Sequence, residues 1–273
     1  MTKIKIALIQ LNTGENVEKN LEDFRHFSYE ASRRDVDLIV TPEVVNCITS
    51  DHKQRIKSSS TEQVERFLSV AKKISRESQT YFLIGSLARR EINSEKCENR
   101  SYLINRIGNI VAHYDKIHMF DVKLSESERY KESDFYRPGG EKKIYPCDFG
   151  KLGMTICYDL RFPKLFSDLA LSGAEIITVP SAFTQNTGTR HWEVLLRARA
   201  IETGAFIVAP AQTGEHGSTG RKSYGHSMIV SPDGEILLQL KQLTGVGVTE
   251  IDLKECGEAR RNIPNLINQI HYK

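Results

Sequence analysis

KLGMTICYDLRFP, Lys151 to Pro163, is the stretch whose reading decides the fold. Leu152, Met154 and Ile156 alternate with small or polar residues, the period of a strand with a buried face. Cys157 follows at once, then Tyr158, Asp159 and Arg161, before Pro163 opens a helical pattern. A thiol carried by a strand to an abrupt polar turn lies near amide N–H groups and a helix N-terminus. Both favour the thiolate and can stabilise an oxyanion. A structural cysteine at a strand end is the alternative reading, so the nucleophile needs partners elsewhere in the chain.

Outward from this stretch the pattern keeps alternating. A helix from Pro163 to about Ser172 stops at Gly173, and strand Glu175 to Pro180 follows. Thr189 to Thr203 is helical with Gly204 as its stop, and Ala205 to Ala211 is the next strand. Ser227 to Val230 and Glu235 to Leu240 form a hairpin around Pro232-Asp233-Gly234, and Val246 to Ile251 ends the sheet. On the N-terminal side, strand Lys3 to Leu11 precedes a helix capped by Asn16, with Val17, Leu21, Phe24 and Ala31 on one face. Val36 to Thr41 is a nearly all-apolar strand. A helix capped near Thr61 buries Val64, Phe67, Leu68, Ala71 and Ile74, and strand Tyr81 to Ser86 follows. Tyr102 to Asn105 and Ile110 to Tyr114 read as a hairpin around Gly108-Asn109. The two halves share one order, helix-covered strands followed by a hairpin. This predicts two sheets face to face with helices outside: an α/β fold, a four-layer αββα sandwich, in one domain. Its core is expected over about residues 3–251, with 252–273 as a C-terminal tail.

The chain has 273 residues and a net charge of +3 with both signs interspersed, which does not supply the clustered basic face of a nucleic-acid binder. Five cysteines, at 47, 97, 147, 157 and 256, include no CxxC pair, so neither a disulfide framework nor a zinc site is indicated. A reducing, cytoplasmic setting is the natural expectation. The apolar segment Ile4 to Leu11 is too short for a signal peptide's hydrophobic region, and no stretch reaches membrane-spanning length.

His191 and His226 lie in patterned segments, so a Cys/His pair has no local signature. Two other polar groups stand at strand ends. Glu43 follows an apolar strand through Thr41-Pro42, and Lys116 follows the hairpin strand in HYDKIHMFD. Singly, each reads as a capping or surface charge. Together, Glu43, Lys116 and Cys157 supply a base, a cation and a nucleophile, which suffices for acyl transfer.

TPE at 41–43, YDKIHMFD at 114–121 and CYDLRFP at 157–163 resemble the three motifs of the nitrilase superfamily of carbon–nitrogen hydrolases, whose catalytic set is Glu, Lys and Cys. The run VPSAFTQNTGTRHWEVLLRARAIETGAFIVAPAQTGEH, followed by YGHSMIVSPDGEIL, is similar to the branch of small-acid amidases that contains deaminated-glutathione amidases and omega-amidases. KIHMFDV and RKSYGHSMIV lean toward the former. Glu132-Ser133 resembles the family's ES element, whose glutamate is an auxiliary acid. Residues 134–137 are bulkier and more aromatic than the family pattern, and Arg190 stands where that pattern has a small residue.

The resemblance implies that Glu43 takes the thiol proton of Cys157 and that Lys116 with the backbone N–H of Tyr158 holds the oxyanion. It implies a thioester hydrolysed by water, without metal or organic cofactor. The implied substrate is a small-molecule amide, deaminated glutathione, cleaved to 2-oxoglutarate and cysteinylglycine. Arg161, Arg190, Arg221 and Lys222 are candidate contacts for its carboxylates. An omega-amidase acting on 2-oxoglutaramate or 2-oxosuccinamate, and a catalytically silent scaffold of the same fold, are the alternatives. A homodimer or larger even-numbered oligomer is expected, since Trp192, Val194, Leu195, Leu196, Ala198, Ala200 and Ile201 spread around their helix more widely than one sheet face requires. The family's members pair by stacking sandwiches. Burial of this whole helix beneath the loop at 212–222 is the other explanation.

Overall fold

The computed structural model describes residues 3–91, 94–126 and 128–270. In chain order its first half comprises β1 (Lys3–Gln10), α1 (Val17–Ser32), β2 (Leu38–Val40), α2 (His52–Ser58), α3 (Thr61–Ser78), β3 (Tyr81–Arg89), β4 (Glu98–Ile104) and β5 (Ile110–Asp115). A small ribbon, β6 (Asp121–Lys123) with β7 (Arg129–Lys131), leads into the second half. There β8 (Lys143–Cys147), β9 (Gly150–Met154), α4 (Pro163–Leu171), β10 (Ile176–Thr178), α5 (Gln185–Thr203) and β11 (Phe206–Ala209) follow one another. The chain then forms β12 (Thr213–Glu215), β13 (Lys222–Tyr224), β14 (Met228–Val230), β15 (Ile236–Gln239), β16 (Gly245–Asp252) and α6 (Lys254–Asn262).

Two six-stranded sheets result, ordered β16-β1-β2-β3-β4-β5 and β15-β14-β11-β10-β9-β8. Each has three parallel strands at its centre, β1-β2-β3 in one and β9-β10-β11 in the other, flanked by antiparallel neighbours. The alternation along β1 shows why both faces are covered. Ile4, Ile6 and Leu8 join Leu152, Met154 and Ile176 of the other sheet in one core. Ala7 and Ile9 point the other way, into a second core with Phe24 of α1 and Phe67 of α3. From Ile6 to Gln10 every side chain of β1 leaves water, and only Lys3 and Lys5 at its start stay in reach of it, which is why the strand reads as almost continuously apolar. The arrangement is the expected αββα sandwich.

Several elements differ from the sequence expectation, each for a physical reason. Helix α2, HKQRIKS, has no apolar stripe to reveal it; Asp51 caps it by accepting from the Gln54 N–H. Strand β4 begins at Glu98 rather than Tyr102, because its first residues are polar yet buried. Helix α5 begins at Gln185 rather than Thr189, with the Thr184 hydroxyl as its cap. The segment expected as a tail carries α6, whose Cys256 is buried and whose Arg260 donates to the carbonyls of Thr203 and Ala174. Residues 271–273 lie outside the described residues.

Helix α5 departs from the proposal that it lies wholly buried. Trp192, Leu196 and Ala200 are fully buried, and Trp192 Nε1 donates to the His226 carbonyl at 2.8 Å. Val194 and Ile201 on the opposite face remain 67% and 48% exposed. The turn at Gly234 touches Ile201 without covering it.

Candidate active site

Glu43 and Cys157 both emerge beyond the C-terminal ends of central parallel strands, β2 and β9, and Lys116 follows β5. The three residues, which are 4%, 2% and 7% exposed in the order Glu43, Lys116, Cys157, line one cavity.

The Glu43 turn is forced. Val44 holds φ +52°, a left-handed conformation that a β-branched residue adopts only when its surroundings impose it. Ser86 does so at three points. Its N–H donates to the Pro42 carbonyl, its hydroxyl accepts from the Val44 N–H at 2.8 Å, and its carbonyl accepts from the Val45 N–H at 3.0 Å. Gly85 makes the approach possible, because a Cβ there would sit 1.9 Å from the Thr41 carbonyl oxygen. Gln212 Nε2, from the segment between β11 and β12, holds the Glu43 carbonyl at 2.9 Å.

With the backbone fixed, the carboxylate is fully engaged. Glu43 Oε1 accepts from Lys116 Nζ and Asn99 Nδ2, each at 2.9 Å, and Oε2 accepts from the Ala182 N–H at 2.9 Å. Lys116 Nζ also donates to both oxygens of Glu132 at 2.9 Å, and Glu132 Oε2 accepts from the Phe120 N–H. Asn99 Nδ2 reaches Glu132 Oε1 at 3.2 Å, so one amide steadies both carboxylates. Burial pushes Glu43 up, but the Lys116 charge and hydrogen bond, with Cys157 and Arg221 adding, outweigh it and hold the carboxyl below its ordinary value. For Lys116 burial works toward neutrality, while Glu132 and Glu43 hold the ammonium well above its ordinary value. The pair stays ionic.

Cys157 also sits in the left-handed region, φ +47°, and opens a 3₁₀ turn running to Arg161. Its N–H donates to the Pro180 carbonyl at 2.9 Å. The Tyr158 N–H comes next, among those a helix start leaves without an intrahelical acceptor. Burial and the neighbouring Glu43 carboxylate push the Cys157 thiol well up, against the pull of Lys116. At rest the proton therefore belongs to sulfur and the charge to Glu43.

Asp159 ties the cysteine turn to the lysine loop. Its fully buried carboxylate accepts from the Ile156 N–H at 2.9 Å and the Tyr114 hydroxyl at 2.7 Å, and its other oxygen meets the His118 N–H at 3.1 Å and Nδ1 at 2.7 Å. The His118 ring stacks on Phe162 at 3.5 Å.

Glu132 and Tyr158 also line the cavity, together with Phe135 and Tyr136 of the divergent loop. Arg161 is behind the wall: its guanidinium packs over Phe183 and lies 3.1 Å from His191 Nδ1. Arg190 is exposed, with its guanidinium on Asn186, and is not among the residues that line the cavity: one turn into α5, this position faces solvent. Lys222 pairs with Glu215 on the surface ribbon. Of the suggested cations only Arg221 enters the cavity, and Arg55, which the sequence did not suggest, joins it. Asn99 was also missed, and a buried polar residue opening a strand was its only signal. Among the described residues no cluster of His, Cys, Asp and Glu suits a metal ion, and no helix is long and apolar enough to cross a membrane.

Residues 5–261 match the carbon–nitrogen hydrolase family model. Among related proteins, a deaminated glutathione amidase of Yersinia enterocolitica is 37% identical over 97% of this chain and 93% of its own length. That of Mus musculus is 35% identical over 95% of this chain and 81% of its own. The crystal structure of the Caenorhabditis elegans NitFhit protein superposes with a TM-score of 0.92 at 31% identity, covering 98% of this chain and 65% of that one. Saccharomyces cerevisiae Nit3, a member of branch 10 of the nitrilase superfamily, gives 0.84 at 26% identity, over 96% and 95% of the two chains.

Proposed function

The chain belongs to the carbon–nitrogen hydrolase family and is an amidase, and from that premise we propose that Cys157, Glu43 and Lys116 carry the reaction and that deaminated glutathione is its substrate. The observation that carries the assignment is the buried Lys116–Glu43 ion pair at 2.9 Å, whose two charges act in opposite directions on the Cys157 thiol in the same cavity.

In the proposed cycle Glu43 accepts the thiol proton as sulfur adds to the amide carbonyl, so a thiolate never has to exist free in a buried site. The carbonyl oxygen becomes an oxyanion, held by Lys116 Nζ and the Tyr158 N–H. Protonated Glu43 gives its proton to the departing amine nitrogen, the C–N bond breaks, and a thioester remains on Cys157. Water then adds to the thioester carbonyl and loses a proton to Glu43. Collapse expels the cysteine sulfur, which recovers that proton, and the acid is released. Glu132 and Asn99 keep Lys116 and Glu43 in register. The residues themselves supply every proton transfer, so no cofactor enters the scheme.

Deaminated glutathione is favoured by the relatives' activity, and the loop through Phe135 and Tyr136 borders the cavity where substrate selection would occur. Parallel assays of the purified protein on deaminated glutathione and 2-oxoglutaramate test this. The expected result is higher kcat/KM on the former, with 2-oxoglutarate and cysteinylglycine as products. Preferential release of ammonia from 2-oxoglutaramate would replace this substrate with that of an omega-amidase.

The proposal extends to setting and assembly. Five free, buried cysteines support a reducing cytoplasmic environment. The exposed Val194 and Ile201 of α5, with Leu171 of α4 55% exposed, support a homodimer or larger even-numbered oligomer joined through these helices.

A further inference from the structure

Two guanidinium groups line the cavity without a part in the proton transfers proposed above, Arg55 from α2 and Arg221, whose charge also favours ionised Glu43, from the residue before β13. Arg55 Nε donates to the Thr49 carbonyl at 2.7 Å, and its guanidinium lies 5.1 Å from the centre of the Phe135 ring. Arg221 Nη2 donates to the Ala182 carbonyl at 2.5 Å, and its guanidinium lies 5.5 Å from the centre of the Tyr130 ring. Its buried Nε has no hydrogen-bond partner among the described residues. An aromatic ring and a single carbonyl hold each group, which leaves N–H edges of the planar fork for a two-pronged acceptor.

Cations in a half-buried cleft are ordinarily paired, and leaving such donors unmet is costly. Among the described residues neither guanidinium is paired with a carboxylate. The two acids of the cavity are already taken up, Glu43 and Glu132 both by Lys116. The charge left unanswered in the cavity is therefore positive, and it comes from two separate places. Arg221 is anchored on Ala182, the residue whose N–H also holds Glu43, so it stands beside the reacting groups. Arg55 approaches from α2, along the Phe135 side of the cavity.

We propose that Arg55 and Arg221 are two distinct carboxylate seats that select amides bearing one carboxylate on the acyl portion and another on the departing amine. Arg221 takes the acyl carboxylate and Arg55 takes that of the amine. The substrate class is an amide between a dicarboxylic acid and a peptide with a free C-terminus, of which deaminated glutathione is a member. An unsubstituted amide such as 2-oxoglutaramate fills only the Arg221 seat. The inference rests on the reading of this cavity as the amidase site.

Its test compares kcat/KM of the wild type, Arg55→Met and Arg221→Met on three amides. These are deaminated glutathione, its C-terminal carboxamide, and the analogue in which a butyryl group replaces the 2-oxoglutaryl group. Wild type should favour the doubly charged substrate over either analogue by about ten- to hundredfold, the range expected of a charged hydrogen bond. Arg55→Met should lose a similar factor on deaminated glutathione, chiefly through KM, and little on the carboxamide. Arg221→Met should show the complementary pattern, losing little on the butyryl analogue. Arg55→Lys and Arg221→Lys, which keep charge but not the fork, should fall between. Undiminished wild-type hydrolysis of both analogues would overturn the two seats and leave the amidase intact. Equal losses by each variant on all three substrates would also overturn them. No hydrolysis of any of the three would overturn the proposed function together with this inference.

Discussion

At the scale of single residues, two left-handed backbones carry the candidate chemistry, Val44 beside the proposed base and Cys157 itself. Strain of this kind persists only where neighbours over-determine it, and for Val44 the neighbour is Ser86. Ser86→Ala removes the acceptor of the Val44 N–H and leaves a buried donor unmet, at about 1–3 kcal/mol. We expect lower melting temperature and a fall in kcat larger than any rise in KM; unchanged kcat in the folded variant would mean that the turn holds Glu43 without the hydroxyl. The charge state of the base gives a pH prediction. Glu43 must be ionised to accept a proton, and it is held below its ordinary 4.5, so kcat/KM should retain its plateau until the pH drops below that value. With the thiol pushed up and its proton moved internally, no rise is expected between about pH 6 and 8 such as a free thiolate would give. An acid limb above pH 5, in a pH profile of kcat/KM corrected for unfolding, would contradict the ion-paired base.

At the scale of elements, the cysteine turn and the lysine loop are one unit because Asp159 bonds to both. Asp159→Asn keeps the shape but replaces one acceptor oxygen with a donor facing other donors. It should cost about 2–3 kcal/mol in denaturant unfolding and lower kcat by displacing Lys116 from Cys157. Wild-type stability and activity together would show that the two elements stand independently. This scale is also where the sequence was least legible. The proposed set Glu43, Lys116 and Cys157 was legible because each follows a readable strand and stands in a motif, TPE, YDKIHMFD or CYDLRFP. Asn99, 56 positions from Glu43, and Arg55, on a polar helix of two turns, sit in segments with no periodicity, and only the folded contacts give them meaning. Arg190 shows the converse: the motif run around it draws attention to it, but with Thr189 it lies on the face of α5 turned to solvent. The β-sandwich itself was readable, since fully covered central strands must be apolar on both faces, as β1 is.

At the scale of the whole molecule, the uncovered Val194 and Ile201 give the assembly proposal its test. Sedimentation at low micromolar concentration should find a species of at least twice the 31.0 kDa chain mass. The double variant Val194→Glu, Ile201→Glu should shift it toward the monomer. A fully active wild-type monomer would refute the oligomer. The central claim concerns the nucleophile, and the cavity offers a sharp comparison because Cys47 lines it as well. The deciding measurement is amide hydrolysis by folded Cys157→Ala and Cys47→Ala proteins, on deaminated glutathione and 2-oxoglutaramate. The account predicts that Cys157→Ala loses about 10⁴-fold or more in kcat, while Cys47→Ala, whose sulfur faces the Glu15 carbonyl instead of the Glu43–Lys116 pair, stays within about tenfold of wild type. Substantial turnover by Cys157→Ala, or its loss in Cys47→Ala alone, would contradict it.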